Sequence, residues 1–474
     1  MADNSNFDLV IIGGGPAGYV GAIRAAQLGL KVACVEREAL GGVCLNWGCI
    51  PTKALLAGAE FYHALKHDAE SWGINAQGVS HDWSKVIGRS RQVAGNLNKG
   101  VHALFKKNKI THIQGHAKIV GTKPVKLEIH DQPGHVAQTI EAKHVMIATG
   151  AVPRSLPGAD FDGDKIIAAR EAMSLAEQPK KLIVVGAGAI GMEFAYFYKA
   201  FGTEVTVIEM MDRLMPIEDH DVSKEIARAF RKLGIETRTG TKTLKIEKTA
   251  EGVSVTVAPV SDEKKTETLT GDKVLVAIGV RGRYDGLFDE SLGLEIERDH
   301  IKVDRSTYQT NLPGVYATGD VIGPPWLAHV ASEEAIACVE QIAGHKATPV
   351  HYGQVPGCTY CQPQVASVGL TEQACKDKGI DYKVGKFPFT ASGKAQAMGE
   401  TTGFVKIISD PKYGEILGVH MIGEGVTELI AEMGLAMRLE ATVDEVITTM
   451  HAHPTLSEAV HEAALDAGDR MIHF

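Results

Sequence analysis

Cysteine is scarce in this chain, with seven among 474 residues, an odd number in a long sequence. That excludes the disulfide framework of a small secreted protein. Blocks of lysine and arginine are missing too, and the net charge of −9 leaves no electrostatic footprint for nucleic acid. The apolar stretch from Phe7 to Gly18 is far too short to span a bilayer. The opening Met1-Ala2-Asp3-Asn4-Ser5-Asn6 is polar without a positive region, so no secretory signal is expected. These absences point to a soluble cytoplasmic protein in a reducing compartment, where a disulfide would be catalytic rather than structural. What is present suits a globular protein of about three domains, with 44% hydrophobic and 23% charged residues. Glycine, at 51 residues, fits a chain that brings its backbone close to ligands.

Near the N-terminus, Phe7-Asp8-Leu9-Val10-Ile11-Ile12 reads as a buried parallel strand. It runs into Gly13-Gly14-Gly15-Pro16-Ala17-Gly18, then an alanine-rich helix from Tyr19 to Leu28, then a strand from Lys31 to Val35 that ends at Glu36. Gly13, Gly15 and Gly18 form a G-x-G-x-x-G turn that aims backbone N–H groups and a helix N-terminus at a pyrophosphate. Glu36 is placed to take a ribose diol. A bare glycine turn is weak evidence, but strand, helix and acid together make a dinucleotide site. Cys34, inside the second strand, reads as a buried small apolar residue.

The pattern then repeats. Lys181 to Val185 is a strand, Gly186, Gly188 and Gly191 form the turn, and a helix follows from Met192. The next strand, Glu204 to Ile208, ends in Glu209. Two complete fingerprints imply two dinucleotides. Glu209 can accept from a free 2′-hydroxyl but would repel a 2′-phosphate, so NAD is favoured over NADP; Arg213 is the nearest cation. Glu193, near the start of that helix, is favoured there by the helix dipole alone.

Between the fingerprints lies Gly41-Gly42-Val43-Cys44-Leu45-Asn46-Trp47-Gly48-Cys49-Ile50-Pro51-Thr52-Lys53. A close cysteine pair is a metal half-site, a structural bridge or a redox dithiol. A metal would need two more soft ligands, for which only His63 and His67 are near, so no metal is expected. Pro51 suits the first turn of a helix, which puts Cys49 at a helix N-terminus beside Lys53, and both favour thiolate over thiol. Five residues separate the sulfurs awkwardly for regular helix, so an irregular first turn is expected.

Further on, Phe61 to Lys109 reads as one or two polar helices, with Trp72, Trp83 and the histidines as packing or surface. Ile110 to Ile140 alternates like a small antiparallel ribbon, and Val145 to Gly150 is another buried strand. From about His351 strands such as Gln364–Gly369 and Gly403–Ile408 alternate with helices from Thr427 and Ser457. Cys358 and Cys361 have no second pair and read as incidental. Near the end, His453 precedes Pro454 and lies five residues before Glu458. A carboxylate holding one imidazole nitrogen would leave the other as a base; the plainer reading is a surface histidine before a helix capped by Thr455 or Ser457.

The Cys44–Lys53 segment is similar to the redox segment of the flavoprotein disulfide reductases, above all to the branch that oxidises dihydrolipoamide with NAD. The resemblance covers essentially the whole chain. It implies an α/β fold with two Rossmann-like domains, for FAD and NAD, and a C-terminal α+β dimerisation domain. The implied division is an FAD domain at 1–150, an NAD domain at 151–279, a return segment at 280–350 that completes the FAD domain, and an interface domain at 351–474.

By the same resemblance Cys44 exchanges with substrate, Cys49 faces the flavin, and Lys53 sits beside the flavin and pairs with Glu193. Ala117 belongs to the backbone touching adenine, Thr149 and Gly150 pass close to FAD, Asp320 bonds the ribityl chain, and Ala328 reaches the flavin ring. Gly279 closes the NAD site, although Val280-Arg281-Gly282-Arg283-Tyr284-Asp285 departs from the family's Gly-Arg-x-Pro-Asn. The closing His-Pro-Thr-x-Ser-Glu makes His453 the base and Glu458 its orienter, acting on the other subunit of a homodimer. No lipoyl domain precedes Phe7, so the lipoyl group is expected on partner proteins of a 2-oxo acid dehydrogenase complex or glycine cleavage system.

Overall fold

A computed structural model describes residues 6–474, so the polar stretch Met1–Ser5 lies outside the described residues. The chain forms two compact units. The first takes residues up to Ala54, Ile87–Arg154 and Gly279–Val350; the second takes Leu55–Val86, Ser155–Ile278 and His351–Phe474.

The first unit is built on a sheet in which Thr111–Gln114, Val32–Glu36, Asn6–Ile12 and His135–Ile147 lie side by side and parallel. Leu9, Val10, Ile11, Val145, Met146 and Ile147 are buried on both faces, as an apolar run in a covered parallel sheet requires. Each large aliphatic side chain removed from water in this way contributes about 2 kcal/mol. The expected ribbon from Ile110 is corrected in two places. Thr111–Gln114 pairs in parallel with Val32–Glu36, and only His116–Thr122, Val125–Gln132 and His135–Ile147 form an antiparallel meander. The buried strand at Val145 is the end of that last thirteen-residue strand. Alternation reports which face is buried, not the direction of the partner. Val315–Ala317 joins the sheet in parallel beside Val145–Ile147.

The second unit repeats the parallel arrangement in the order Glu236–Arg238, Glu204–Ile208, Lys181–Val185, Lys273–Val276, Ile166–Ile167. Its later part is an antiparallel sheet in the order Gly357–Thr359, Gln364–Gly369, Ile416–Gly423, Phe404–Ser409, Lys383–Pro388. The helices Val426–Arg438 and Glu458–Ala467 pack on that sheet through Ile430, Met433, Val460 and Ala463. Trp83 donates its indole N–H to the Leu175 carbonyl and packs against Phe197, Tyr198 and Phe201, while Trp72 is exposed. No helix among the described residues is long and apolar enough to cross a membrane.

Candidate active site

Both glycine turns close in the same way. Gly13 and Gly186 take left-handed φ values of 103° and 104°. A methyl at Gly18 would sit 1.8 Å from the Gly13 carbonyl oxygen, and one at Gly191 would sit 2.0 Å from that of Gly186. The third glycine of each turn is already helical: the helices are Pro16–Gln27 and Ala189–Ala200, each starting three residues before the sequence reading placed it. The acids are engaged alike. Glu36 accepts the Gly14 N–H at 2.7 Å and the Glu38 N–H at 2.7 Å. Glu209 accepts the Ala187 N–H at 2.7 Å and the Met211 N–H at 2.8 Å. Each carboxylate is thus fixed at the strand end with lone pairs remaining for a diol.

The redox segment is two helices rather than one irregular turn. Gly42–Trp47 carries Cys44, the chain breaks at Gly48 with φ −149° and ψ −117°, and Cys49–His63 begins at the second cysteine. The break lets two sulfurs five residues apart approach, so the irregularity lies between the helices. Cys44 and Cys49 are not joined by a disulfide here. The Cys44 proton is held by a hydrogen bond to Cys49 and by burial, which raise its pKa against the pull of Lys53. Tyr19, passed over in the sequence, lies near enough that burial and then the charge of the two sulfurs raise its phenol pKa.

Three further residues missed by sequence reasoning hold this segment. Asn46 donates to the carbonyls of Leu40 and Gly42, both at 2.9 Å. Arg91 donates to the Asn46 carbonyl at 2.6 Å, and Asn98 to that of Leu40 at 2.6 Å. Arg91 and Asn98 lie two turns apart on one face of the helix Trp83–Lys107, a spacing of seven that could have singled them out.

The segment is strapped to the first turn. Gly41 donates its N–H to the Gly14 carbonyl at 2.7 Å, and a methyl at Gly42 would lie 2.6 Å from the Gly15 Cα. Thr149 donates its hydroxyl to the Arg283 carbonyl at 2.6 Å, and Arg283 N–H returns to Gly150. Gly279 accepts from Arg154 at 2.9 Å, and Val280–Gly282 pairs antiparallel with Ala151–Pro153, so the divergent stretch still carries a chain reversal. Ala117 is buried in its strand; Ala328 begins the helix Ala328–Ile342. Glu334 of that helix accepts the Gly319 N–H at 2.7 Å and pairs with Arg305 at 3.0 Å. It thereby holds the turn that carries Asp320.

These residues fit an FAD. The Asp320 carboxyl, with no hydrogen bond among the described residues, is pushed up to about 6 by burial, the state of an acceptor awaiting donors. A methyl at Gly150 would meet nothing within 4 Å. A cavity of about 460 Å³ lined by Arg37, Gln114, Gly115 and Lys118 has room near the expected adenine position. The second turn fits an NAD. A methyl at Gly188 would likewise meet nothing within 4 Å, and Ile190, Met210 and Met211 are exposed. Arg213 is tied to Asp212 and the Pro216 carbonyl at 3.0 Å each. Glu193, in the second unit, is buried and accepts the Tyr360 N–H at 3.0 Å; Lys53 belongs to the first.

His453, in the second unit, donates Nδ1–H to Glu458 at 2.8 Å, and its side chain is 79% exposed. Burial opposes ionisation of Glu458, but the Thr455 amide and His453 outweigh it and lower its pKa. His451 is different: only 5% exposed, it has one ring nitrogen on Glu432 at 2.7 Å and the other on the Thr449 carbonyl. Of these two, His453 is the one that presents a nitrogen outward. Cys358 and Cys361 stand at the strand Gly357–Thr359 and just after it, and neither is in a disulfide.

Comparison with known proteins agrees with this geometry. Residues 7–335 match the family described as pyridine nucleotide-disulphide oxidoreductase, and residues 355–464 match its dimerisation domain. A dihydrolipoyl dehydrogenase of Rhizobium etli is 48% identical, with 99% of each chain covered, and one of Zymomonas mobilis is 45% identical over 100% of each. The mitochondrial dihydrolipoyl dehydrogenase of Pisum sativum is 42% identical over 98% of this chain and 92% of that one. Among solved structures, LpdA from Mycobacterium tuberculosis superposes with a TM-score of 0.88 at 27% identity, covering 97% of this chain and 99% of that one. The chain belongs to the pyridine nucleotide-disulphide oxidoreductases.

Proposed function

We propose that this protein is a dihydrolipoyl dehydrogenase, oxidising dihydrolipoamide to lipoamide while reducing NAD⁺, as a cytoplasmic homodimer. The observation that carries the reading is the dithiol strapped over the first glycine turn, in a chain whose second turn stands open and ends in Glu209. Full-length relatives that share this activity in name support it. The lipoyl group is then carried by partner proteins of a 2-oxo acid dehydrogenase complex or glycine cleavage system. We retain the division into an FAD domain (1–150), an NAD domain (151–279), a return segment (280–350) and an interface domain (351–474).

Gly13, Gly15, Gly18, Glu36, Ala117, Thr149, Gly150, Asp320, Ala328 and Lys53 would hold FAD. Gly186, Gly188, Gly191, Glu193, Glu209 and Gly279 would serve NAD. Bound FAD supplies the two-electron relay between sulfur and nicotinamide, which no side chain provides. The chain's own part begins with the partner's His453, held by its Glu458, taking a proton from one substrate thiol. The resulting thiolate attacks Cys44, the Cys44–Cys49 bond breaks, and Cys49 leaves as thiolate. The second substrate thiol then attacks the substrate sulfur of the mixed disulfide. Lipoamide departs, the proton of that second thiol ends on Cys44, and His453 releases the first proton to solvent. The reduced pair holds one proton on Cys44, in agreement with the hydrogen bond that raises its pKa. When the Cys44–Cys49 bond re-forms, two electrons and the Cys44 proton leave, together the hydride equivalent that NAD⁺ takes up.

A steady-state assay of dihydrolipoamide with NAD⁺ against glutathione disulfide with NADPH tests the proposal. Turnover of the first pair is expected. Turnover of the second in its place would refute both the substrate and the nucleotide.

A further inference from the structure

The backbone of Ala187, between the first two glycines of the second turn, is held at one end by Glu209 and at the other by the loop that follows it. Its N–H goes to the Glu209 carboxylate, and its carbonyl accepts the Met215 N–H at 2.9 Å. Met215 is buried, and it takes a left-handed φ of 48° although it is not glycine. A side chain in that region is strained and persists only where its surroundings enforce it. Four residues on, Asp219 caps the helix His220–Lys232 and is 1% exposed.

A buried cation from the antiparallel sheet meets this cap. Lys406, in the strand Phe404–Ser409, is also 1% exposed, and its ammonium meets Asp219 at 2.8 Å, Glu372 at 2.8 Å and Asp221 at 3.1 Å. Three N–H groups find three carboxylates, so the ammonium is saturated. Asp219 also accepts the Glu372 N–H at 3.1 Å, and Lys386 places a second cation on Asp221 at 3.1 Å. Every other residue of that strand is buried too, so an apolar side chain at 406 would suit local packing. A buried ion pair rarely exceeds the stability of well-packed apolar replacements, which points to a geometric role for the lysine.

We propose that Lys406 is a positioning residue for NAD: it fixes Asp219, and through the strained loop at Met215 it fixes the glycine turn at Ala187. This rests on the reading that the Gly186–Gly191 turn takes NAD.

The test uses the flavin-loaded enzyme. In Lys406→Met the KM for NAD⁺ should rise about tenfold, while dihydrolipoamide still reduces the flavin at the wild-type rate. Asp219→Asn added to Lys406→Met removes the stranded charge, keeps a capping side chain and should recover part of the loss. If Lys406→Met does not fold, Glu372→Gln should show the same split with a rise of about threefold. Val446→Ala, a buried truncation elsewhere in the same sheet-and-helix region, should leave the KM for NAD⁺ unchanged. An unshifted KM in Lys406→Met or Glu372→Gln with normal wild-type binding overturns the inference alone, and so does an equal rise in Val446→Ala. Wild-type enzyme that takes up no NAD⁺ overturns the reading of the turn as well.

Discussion

The two glycine turns share a design up to one residue and then part. In each, the peptide after the first glycine is held by the acid at its N–H and by the following loop at its carbonyl. Gly41 plays that part for Gly14, and Met215 for Ala187. Both loop residues are left-handed, with φ of 91° and 48°. Beyond them the first loop lays Gly42 on Gly15 and continues into the dithiol, whereas the second runs away to Asp219 and leaves Gly188 open. A covered turn suits a nucleotide that stays; an open one suits a nucleotide that enters and leaves. On the proposed function, the same local solution serves a resident cofactor and an exchanging substrate, and the difference lies in what the next ten residues do.

The largest effect should come from the third glycines, where the turns are alike. Gly18→Ala and Gly191→Ala each force a methyl into a carbonyl oxygen, at 1.8 and 2.0 Å, with overpacking costs of about 3 kcal/mol or more. Purified Gly18→Ala should lack the flavin's visible absorbance. Gly191→Ala should keep that absorbance and its reduction by dihydrolipoamide, yet fail with NAD⁺. Flavin loss from both variants would break the division of labour.

A smaller effect is expected where the turns differ. Gly42→Ala meets the Gly15 Cα at 2.6 Å with a φ of 56°, and should lower stability by about 1–3 kcal/mol in thermal unfolding. Gly188→Ala stands in open space and should leave the melting temperature unchanged while weakening NAD⁺. The smallest effect concerns pH. Asp320 titrates near 6 when it lacks donors, and ribityl hydroxyls would favour its ionised form. Flavin retention should therefore weaken as pH falls below about 6, by up to tenfold per unit, while above that pH the acid is ionised and retention is flat. Gel filtration at pH 7.5 and 5 would show the slope, and Asp320→Asn should remove it.

Much of this was legible in the sequence because the chemistry is local. Both turns, their acids, the Cys44–Cys49 pair and the His453–Glu458 pair each lie within one short stretch. What escaped was long-range. Arg91 and Asn98 reach the redox segment from a helix whose pattern reads only as polar. Lys406 meets Asp219, Asp221 and Glu372 from positions far apart in the chain, where no spacing rule connects them. The direction of Thr111–Gln114 and the break at Gly48 depended on partners and on crowding that a single strand or helix pattern does not carry.

The most direct test adds one equivalent of dihydrolipoamide to the flavin-loaded enzyme without oxygen, then NAD⁺. The flavin's visible band should change on the first addition and return on the second, in wild type but not in Cys44→Ser. A band indifferent to dihydrolipoamide, or one that responds equally in Cys44→Ser, would contradict the dithiol as the link between substrate and the two nucleotide sites.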